Sequence, residues 1–393
     1  MAFPKHLCPT SPHPMGLEIT HARGSILYTQ DGKAYLDFIS GIGVANIGHT
    51  HPAVVAAIQA QAERHLHVMV YGEYLQASQT ALAEKLSAVL PAPLSCVYFT
   101  NSGTEATEGA LKLAKKFTRR RRLVSFDGSF HGDTHGACSV TGREMYRTPF
   151  EPLLPDVTFL PFNQVEALRE IDESVAAVIA EPIQGEGGMR VPDAAFLPAL
   201  RARCRAVGAL LILDEAQTGF GRTGRLFAMS HWDVVPDIIT LAKALGGGMP
   251  LGAFVASPRL METLSHDPPL SHVTTFGGHP VCCAAGLASL NVILKTRLST
   301  RAARMGARLT SALRAIAQTT PAIVEIRGLG MMIGLELADA KQAERLVKRA
   351  RARGLILGWT LHSDRTIRIA PPLTLSNAEM DQGIDTIHAA LKR

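Results

Sequence analysis

The sequence predicts an α/β fold in which helices cover a mostly parallel sheet. Short apolar runs of strand length alternate along the chain with stretches of helical periodicity. The runs are apolar at every position, which is typical of strands buried on both faces. Of the 393 residues, 47% are apolar, which is ample for the core of a large two-domain subunit.

The elements of this sheet follow from the apolar runs. The predicted buried strands cover residues 96–99, 123–126, 175–180, 209–213 and 238–241. Helices are predicted between them, for example over 106–118 and 195–207. The arginine run 119–122 is interpreted as the cationic end of a helix, where it interacts favourably with the helix dipole. No aromatic residues are interleaved with it, as a nucleic-acid site would require.

The character of the chain changes near residue 290, where a smaller α+β domain is predicted. A helical stretch reaching to about 319 is followed by shorter segments, at 322–327, 331–337, 341–353, 355–357 and 366–369. Ser376 and Glu379 form a capping box that starts the last helix. The predicted organisation is an N-terminal segment, 1–45, that packs on the small domain, a large domain, 46–289, and the small domain, 290–393.

The composition indicates the cellular compartment and excludes some classes of binding partner. Six cysteines without CxxC spacing predict a reducing cytoplasm. The first ten residues lack the apolar core of a signal peptide, and no run approaches the roughly 20 apolar residues of a membrane span. The net charge is +6. Neither a nucleic acid nor a membrane is expected as a partner.

Lys243 is the strongest candidate for chemistry. It ends the apolar run from Asp237 and is followed by Ala-Leu-Gly-Gly-Gly, a poor place for a surface charge. Desolvation disfavours the ammonium form, so the free amine becomes available for a Schiff base with an aldehyde. The alternative is a lysine that reaches water from a strand end.

Asp214 directly follows a predicted strand, at the sheet edge where open α/β folds bind ligands. An apolar run ending in Asp-Glu also resembles the second motif of P-loop ATPases, but the chain has no GxxxxGK[ST] loop. A buried carboxylate could instead hold a protonated pyridine nitrogen. A structural, salt-bridged aspartate is the remaining alternative.

Residues 101–105, Asn-Ser-Gly-Thr-Glu, open a predicted helix and would leave backbone N–H groups free for a phosphate. The alternative is an ordinary N-cap. Together with Lys243 and Asp214, this helix start describes a site for an aldehyde, a pyridinium and a phosphate. Those are the three groups of pyridoxal 5′-phosphate (PLP).

Other patterns are less specific. Residues 219–224 match GxGxxG but are predicted to form a loop, because no clear helix follows. His131, Asp133 and His135 resemble part of a metallophosphoesterase motif, without its partner blocks. The HxH pairs at 49–51 and 65–67 are unspecific. No metal site is predicted.

The chain resembles the class III aminotransferases of PLP fold type I over nearly its whole length. The motifs that carry the resemblance are NSGTEA (101–106), EPIQGEG (181–187), DEAQTGFGRTG (214–224), LAKALGGG (241–248) and TTFGG (274–278). The resemblance implies a large domain with a mostly parallel sheet of the seven-stranded type, a smaller α+β domain and a homodimer. It also implies amino transfer from a primary amine to a 2-oxo acid by a ping-pong mechanism.

The resemblance assigns roles by position. It implies that Lys243 forms the aldimine with PLP and moves the proton, while Asp214 holds the pyridine nitrogen. Gln217 is expected near the ring hydroxyl and Phe130 on a ring face. The other implied cofactor contacts are Ser102, Gly103, Thr104, His131 and, from the second subunit, Thr275. The implied substrate contacts are Arg368 for a carboxylate, Glu186 as its partner when no carboxylate is bound, Thr274 and Asp133.

Two departures from the family pattern concern the substrate. Asp133 stands where the family commonly has an arginine for a distal carboxylate, and Ala216 replaces a larger residue opposite Phe130. Segments 146–155 and 366–375 look closest to the putrescine branch. A donor with a cationic or neutral far end, such as a diamine or an ornithine-type amine, is therefore expected. An ion pair of Asp133 with Arg143 or Arg147 is the alternative.

Two other functions are alternatives to amino transfer. A racemase or aminomutase on the same fold would use the same lysine and aspartate without exchanging the amino group. A nicotinamide-dependent oxidoreductase would use the glycines at 219–224. A yellow protein that is bleached by an amine would contradict the oxidoreductase.

Overall fold

The fold is taken from a computed structural model that describes residues 5–12, 14–70 and 72–392. Positions 1–4 and 13 of the predicted N-terminal segment, and position 393 of the predicted small domain, lie outside the described residues. The strands are β1 (Ile19–Arg23), β2 (Ile26–Thr29), β3 (Ala34–Asp37), β4 (Cys96–Thr100), β5 (Arg122–Phe126), β6 (Val157–Leu160), β7 (Val175–Ala180), β8 (Leu210–Asp214), β9 (Ile238–Leu241), β10 (Gly252–Ala256), β11 (Ile323–Leu329), β12 (Met332–Leu337), β13 (Leu355–Ile356), β14 (Gly358–Thr360) and β15 (Ser363–Ile369).

The helices alternate with these strands in the central part of the chain. They are α1 (Ser40–Gly43), α2 (Pro52–Arg64), α3 (Ala77–Val89), α4 (Gly103–Thr118), α5 (His135–Ser139), α6 (Glu144–Arg147), α7 (Phe196–Val207), α8 (Pro258–Met261), α9 (Pro280–Lys295), α10 (Leu298–Gln318), α11 (Ala340–Ala352) and α12 (Asn377–Leu391).

A seven-stranded sheet forms the large domain, in the order β4-β10-β9-β8-β7-β5-β6. The pairs β9-β8, β8-β7, β7-β5 and β5-β6 are parallel, and β10 runs antiparallel to both β4 and β9. The prediction of a mostly parallel sheet covered by helices is therefore confirmed. Strands β7, β8 and β9 are buried at every residue, which is why their sequences are apolar without alternation.

Two smaller sheets lie outside the large one. Strands β11, β12, β15 and β14 form an antiparallel sheet, and β1, β2 and β3 form another, whose last strand pairs in parallel with β13. This pairing places the first strands of the chain against its C-terminal part. The exact boundaries at residues 45 and 289 stay a prediction.

The single helical stretch predicted from 290 to 319 is wrong in its continuity. The structure has α9 and α10 there, bent by 65° at their junction. Arg297 causes the break because its backbone is left-handed, with φ of 51°. Among the described residues, no single helix is long and apolar enough to cross a bilayer, although this bent pair meets the criterion jointly.

The strand directions determine where polar residues gather. Because β10 is antiparallel to both β4 and β9, β4 runs in the same direction as β5 to β9. The carboxyl ends of β4, β7, β8 and β9 therefore meet at one edge of the sheet. Residues at or just after these ends are therefore brought to the same side of the molecule, namely Asn101, Glu181, Asp214 and Lys243.

Candidate active site

A cavity of about 250 Å³ opens at this edge of the sheet. Most of the residues proposed from the sequence contribute to its wall. The lining consists of Gly103, Thr104, Phe130, His131, Gly132, Asp133, Glu181, Glu186, Asp214, Ala216, Gln217, Ala242 and Lys243. Residues from distant parts of the chain thus converge on a single pocket.

Lys243 starts the turn that follows β9. Its backbone is left-handed, with φ of 51°, a conformation that is costly for a lysine and that clusters at functional sites. Gly247 and Gly248 also have positive φ, which explains the glycines after the lysine. Burial lowers the pKa of Lys243, and the carboxylates of Glu186 and Asp214 oppose that shift only in part. The shift is in the direction of the free amine expected from the sequence.

Asp214 is the last residue of β8 and is buried. Its Oδ1 accepts the N–H of Ala216 at 3.0 Å, and its Oδ2 lies 2.8 Å from His131 Nδ1. Burial alone would raise the pKa of Asp214, but the His131 hydrogen bond and charge bring it below its usual value. Because the carboxylate can only accept, His131 Nδ1 carries the proton. His131 Nε2 is buried and has no hydrogen-bond partner among the described residues.

Glu181 is a member of the site that the sequence reasoning did not single out. It directly follows β7, and Asp214 is the last residue of β8, so the same signal of an acid at the end of a buried apolar run could have identified it. Its oxygens accept the N–H groups of Phe130 at 3.0 Å and Gly185 at 2.8 Å. Burial raises the pKa of Glu181 to about 7, against the opposing effect of His131. Glu181 thus fixes the backbone that presents Phe130 to the cavity.

The start of α4 faces the cavity through Gly103 and Thr104. The Ser102 hydroxyl caps the helix by accepting the N–H of Glu105 at 3.3 Å. The N–H groups of Gly103 and Thr104 lie in the first turn, where a helix offers them no internal partner. The Thr104 hydroxyl is 2.7 Å from that of Thr134. Ser102 is therefore an N-cap, and binding of a phosphate at this helix start stays a prediction.

Gly132 explains the close packing beside this helix start. Its φ is 123°, and a Cβ there would lie 2.3 Å from Thr104 Oγ1. Any larger residue would displace Thr104 from the wall of the cavity. The glycine in the sequence His131-Gly132-Asp133 is therefore required by space as well as by backbone conformation.

Arg368 and Glu186 form a buried ion pair at one side of the cavity. Arg368 Nη2 contacts both Glu186 carboxylate oxygens at 2.5 Å. Glu186 also accepts the N–H of Leu361 at 2.7 Å, and Gln217 Nε2 lies 3.4 Å away. Burial would raise the pKa of Glu186, but Arg368 and the Leu361 N–H bring it below its usual value. The structure brings together the two residues that the resemblance pairs.

Asp133 lies in the cavity wall and is exposed. The alternative considered from the sequence was an ion pair with Arg143 or Arg147. The Arg143 guanidinium instead donates to the carbonyl of His362, and Arg147 donates to the carbonyl of Thr141 at 2.7 Å. Within residues 5–12, 14–70 and 72–392, no ion pair or hydrogen bond neutralises Asp133. Its charge is available to whatever enters the cavity.

Thr274 and Thr275 do not reach the cavity of their own chain. Thr274 Oγ1 accepts the N–H of Gly277 at 3.1 Å and is 3.4 Å from Asn101 Nδ2. Thr275 is exposed. A contact of Thr274 with the substrate stays a prediction, as does a contact of Thr275 with the cofactor of a second subunit.

The less specific motifs have other uses. Residues 219–224 form turns, and the fully buried Arg222 within them donates to the carbonyls of Met331 at 3.0 Å and Pro371 at 2.6 Å. His49 Nε2 lies 2.8 Å from Asp37 Oδ2. Arg120, in the arginine run, donates to the carbonyls of Val175 and Val207, so that residue has a structural partner.

Comparison with known proteins agrees with this geometry. The family model described as aminotransferase class-III matches residues 8–391. Acetylornithine aminotransferase from Methanosarcina mazei is 43% identical over 95% of this chain and 91% of its own length.

Solved structures show the same fold. The ornithine aminotransferase of Toxoplasma gondii, a structure with partial occupancy of PLP at the active site, has a TM-score of 0.92 at 31% identity, with 98% of this chain and 92% of that chain covered. A thermostable (S)-enantioselective omega-transaminase from Thermomicrobium roseum has a TM-score of 0.91 at 34% identity, covering 98% and 95%. These matches do not favour an isomerase. The chain belongs to the PLP-dependent class III aminotransferases of fold type I.

Proposed function

We propose that this enzyme moves the amino group of a primary amine with a cationic or neutral far end to a 2-oxo acid, by a ping-pong mechanism. The observation that carries the proposal is the ion pair of Arg368 with Glu186, since Glu186 lines the same cavity as Lys243 and Arg368 lies directly behind it. Such an arginine can bind the carboxylate of one substrate, and its charge can be neutralised by Glu186 when the other substrate has no carboxylate at that position. A ping-pong enzyme needs that ability, because two unlike substrates use one pocket in turn.

The residues of the cavity fit PLP. The pocket offers an amine with a lowered pKa, a carboxylate with a lowered pKa and a helix start with free N–H groups. These match an aldehyde, a pyridinium and a phosphate, respectively. The unpartnered His131 Nε2 shows that this buried wall still has an unused polar contact to offer. When bound, PLP supplies an electron sink for the carbon that loses its proton.

The protein residues have separate tasks in this proposal. Lys243 would bind the aldehyde and would act as general base and acid, a role for which burial shifts its pKa in the required direction. Asp214, held by His131 and the Ala216 N–H, would keep the ring nitrogen protonated. The first turn of α4 would hold the phosphate, Phe130 and Ala216 would enclose the ring, and Gln217 would contact its hydroxyl, since all of these residues line the cavity.

Stoichiometry tests amino transfer against isomerisation. Purified enzyme incubated with a diamine alone should yield one equivalent of aldehyde per active site and then stop. Addition of 2-oxoglutarate or pyruvate should restore turnover. Racemised or rearranged amine, without carbonyl product, would instead support the racemase or aminomutase.

The charge of Asp133 is the basis for the proposed donor. An unpaired carboxylate in the cavity wall attracts a distal ammonium and repels a distal carboxylate. The relatives named above act on acetylornithine and ornithine. A diamine or an ornithine-type amine agrees both with the substrates of these relatives and with the negative charge of Asp133. The acceptor is a 2-oxo acid whose carboxylate binds Arg368.

Replacement of Asp133 should change the choice of donor. In Asp133→Arg, the ratio of kcat/KM for 4-aminobutyrate to kcat/KM for putrescine should rise about tenfold or more. The variant loses the attraction for the distal ammonium of putrescine and gains an attraction for the distal carboxylate of 4-aminobutyrate. Asp133→Asn, which keeps the size and removes the charge, should give an intermediate ratio. The measurement is steady-state kinetics with a fixed acceptor. Wild-type preference for 4-aminobutyrate or acetylornithine over every diamine tested would contradict the proposal.

We further propose a homodimer, on the basis of an exposed apolar patch beside Thr275. The patch comprises Leu66, Tyr74, Leu75, Val273 and Phe276, and the exposed fraction of Leu75 is 98%. Its two chain segments touch, since the rings of His67 and Phe276 are 4.8 Å apart. Apolar surface of this kind marks protein contacts, and a second copy would cover it while bringing Thr275 to another cavity. The cytoplasm is proposed as the compartment, because the six cysteines are all free.

Disruption of the patch should separate the subunits. Phe276→Asp should convert a particle of about twice 42.2 kDa into a monomer with little activity, as measured by light scattering and a transaminase assay. Val324→Asp is the matched control, because Val324 is a comparably exposed apolar residue on β11. A fully active wild-type monomer would refute the dimer.

A further inference from the structure

The turn between β14 and β15 holds Glu186 through its backbone. The Leu361 N–H donates to Glu186 Oε2 at 2.7 Å, and the His362 N–H donates to the Glu186 carbonyl at 3.0 Å. Arg368, the ionic partner of Glu186, lies on β15 of the same hairpin. One hairpin therefore supplies both the cation and the amide that keep the glutamate in place.

Two residues around α6 fix this turn from outside. The Tyr146 hydroxyl donates to the Leu361 carbonyl at 2.9 Å, and the Arg143 guanidinium donates to the His362 carbonyl. The Tyr146 ring also stacks on the His362 ring, with centroids 5.2 Å apart and planes inclined by 21°. Both backbone carbonyls of the turn are thus occupied by side chains from another part of the chain.

His362 anchors the turn from inside. Its ring is buried and meets Phe130 edge to face, with centroids 6.0 Å apart. Burial lowers the pKa of His362, which keeps the imidazole neutral. Its Nδ1 lies 3.1 Å from the Gly128 carbonyl, which can only accept, so Nδ1 carries the proton. Contacts from both sides of the turn therefore fix the direction in which the Leu361 N–H points.

We propose that Tyr146 and Arg143 are positioning residues that hold the Leu361–His362 turn as a latch on Glu186. The latch sets how readily Arg368 becomes free for a substrate carboxylate. The Leu361 N–H and Arg368 hold the same carboxylate, so a firmly held amide favours the internal ion pair over the incoming acid. This inference rests on the proposed role of Arg368 as the carboxylate site.

Binding of glutarate tests the latch without turnover, because this dicarboxylate has neither an amino nor an oxo group. Calorimetry on the PLP-loaded enzyme should show that Tyr146→Phe binds glutarate about fivefold more tightly than wild type. The variant loses one hydrogen bond that stabilises the Glu186–Arg368 ion pair, with which glutarate competes. In the Glu186→Ala background, Tyr146→Phe should change nothing, since its effect passes through Glu186. Arg143→Ala, which frees the other carbonyl, should also tighten binding.

The controls separate this inference from the role of Arg368. Tyr98→Phe removes a tyrosine-to-carbonyl bond of the same length, 2.9 Å, to His272, and should leave glutarate affinity unchanged. Arg368→Ala should abolish binding. If Arg368→Ala binds glutarate like wild type, the carboxylate site is wrong and the latch with it. If Arg368→Ala fails to bind while Tyr146→Phe has no effect, or has an equal effect without Glu186, the latch alone is overturned.

Discussion

Lys243→Ala is expected to lower kcat by at least about a thousandfold, because it removes both the amine that binds the aldehyde and the group that moves the proton. The local structure supports so large an effect, since Lys243 is the lysine in the cavity wall and its pKa is lowered by burial. Activity should be measured with a diamine and 2-oxoglutarate. Borohydride reduction followed by mass spectrometry should attach the cofactor to the Lys243 peptide of wild type only.

Lys115→Ala is the matched control for this experiment. Lys115 lies in the last turn of α4, and burial lowers its pKa too, against the charges of Asp156 and Glu108. It does not line the cavity. Its variant should retain wild-type turnover and cofactor attachment. Near-normal turnover of Lys243→Ala, or attachment at another lysine, would show that Lys243 has been assigned wrongly.

Asp214→Asn is expected to slow the reaction about a hundredfold to ten-thousandfold while the protein still binds PLP. The amide keeps the size of the side chain and can still accept the N–H of Ala216. It lacks the charge that would hold a proton on the ring nitrogen. Cofactor content should be measured beside single-turnover rates, so that a slower proton transfer is distinguished from loss of PLP.

Asp37→Asn provides a close structural match. Asp37 is also buried at the end of a strand, accepts backbone N–H groups through Oδ1, and pairs with a histidine through Oδ2. It is outside the cavity wall. Its variant should change stability more than the rate of the chemical step. An Asp214→Asn enzyme with an unchanged rate would make Asp214 a structural residue like Asp37.

Sequence reasoning succeeded where a single local signal determines the structure. The apolar runs at 175–180 and 238–241 coincide with β7 and β9, because strands buried on both faces need apolar residues throughout. The capping box at Ser376 and Glu379 is present in full, since it depends on residues only three apart. Lys243 and Asp214 were found because each follows such a strand.

Contacts between distant segments could not be predicted in this way. The hydrogen bond of Tyr146 to Leu361 joins residues 215 positions apart, and no pattern within either segment indicates the other. That Asp133 has no ion partner within the part of the chain that the structure describes depends on where Arg143 and Arg147 point. The break between α9 and α10 at Arg297 could not be predicted either, because no glycine or proline stands there in the sequence. These features follow from packing of the whole chain and require coordinates.

Arg222 joins several distant segments of the chain through the hydrogen bonds of one guanidinium group. It lies eight residues after Asp214, and its guanidinium donates to the carbonyl of Pro371, three residues after Arg368. The same group bonds to Ser40 Oγ at 3.2 Å and Asn46 Oδ1 at 2.6 Å. A fully buried guanidinium thus links the segment that follows Asp214 to the segment that follows Arg368. For an acceptor bound at Arg368 as proposed, we expect this fixed spacing to select acids by chain length as well as by charge.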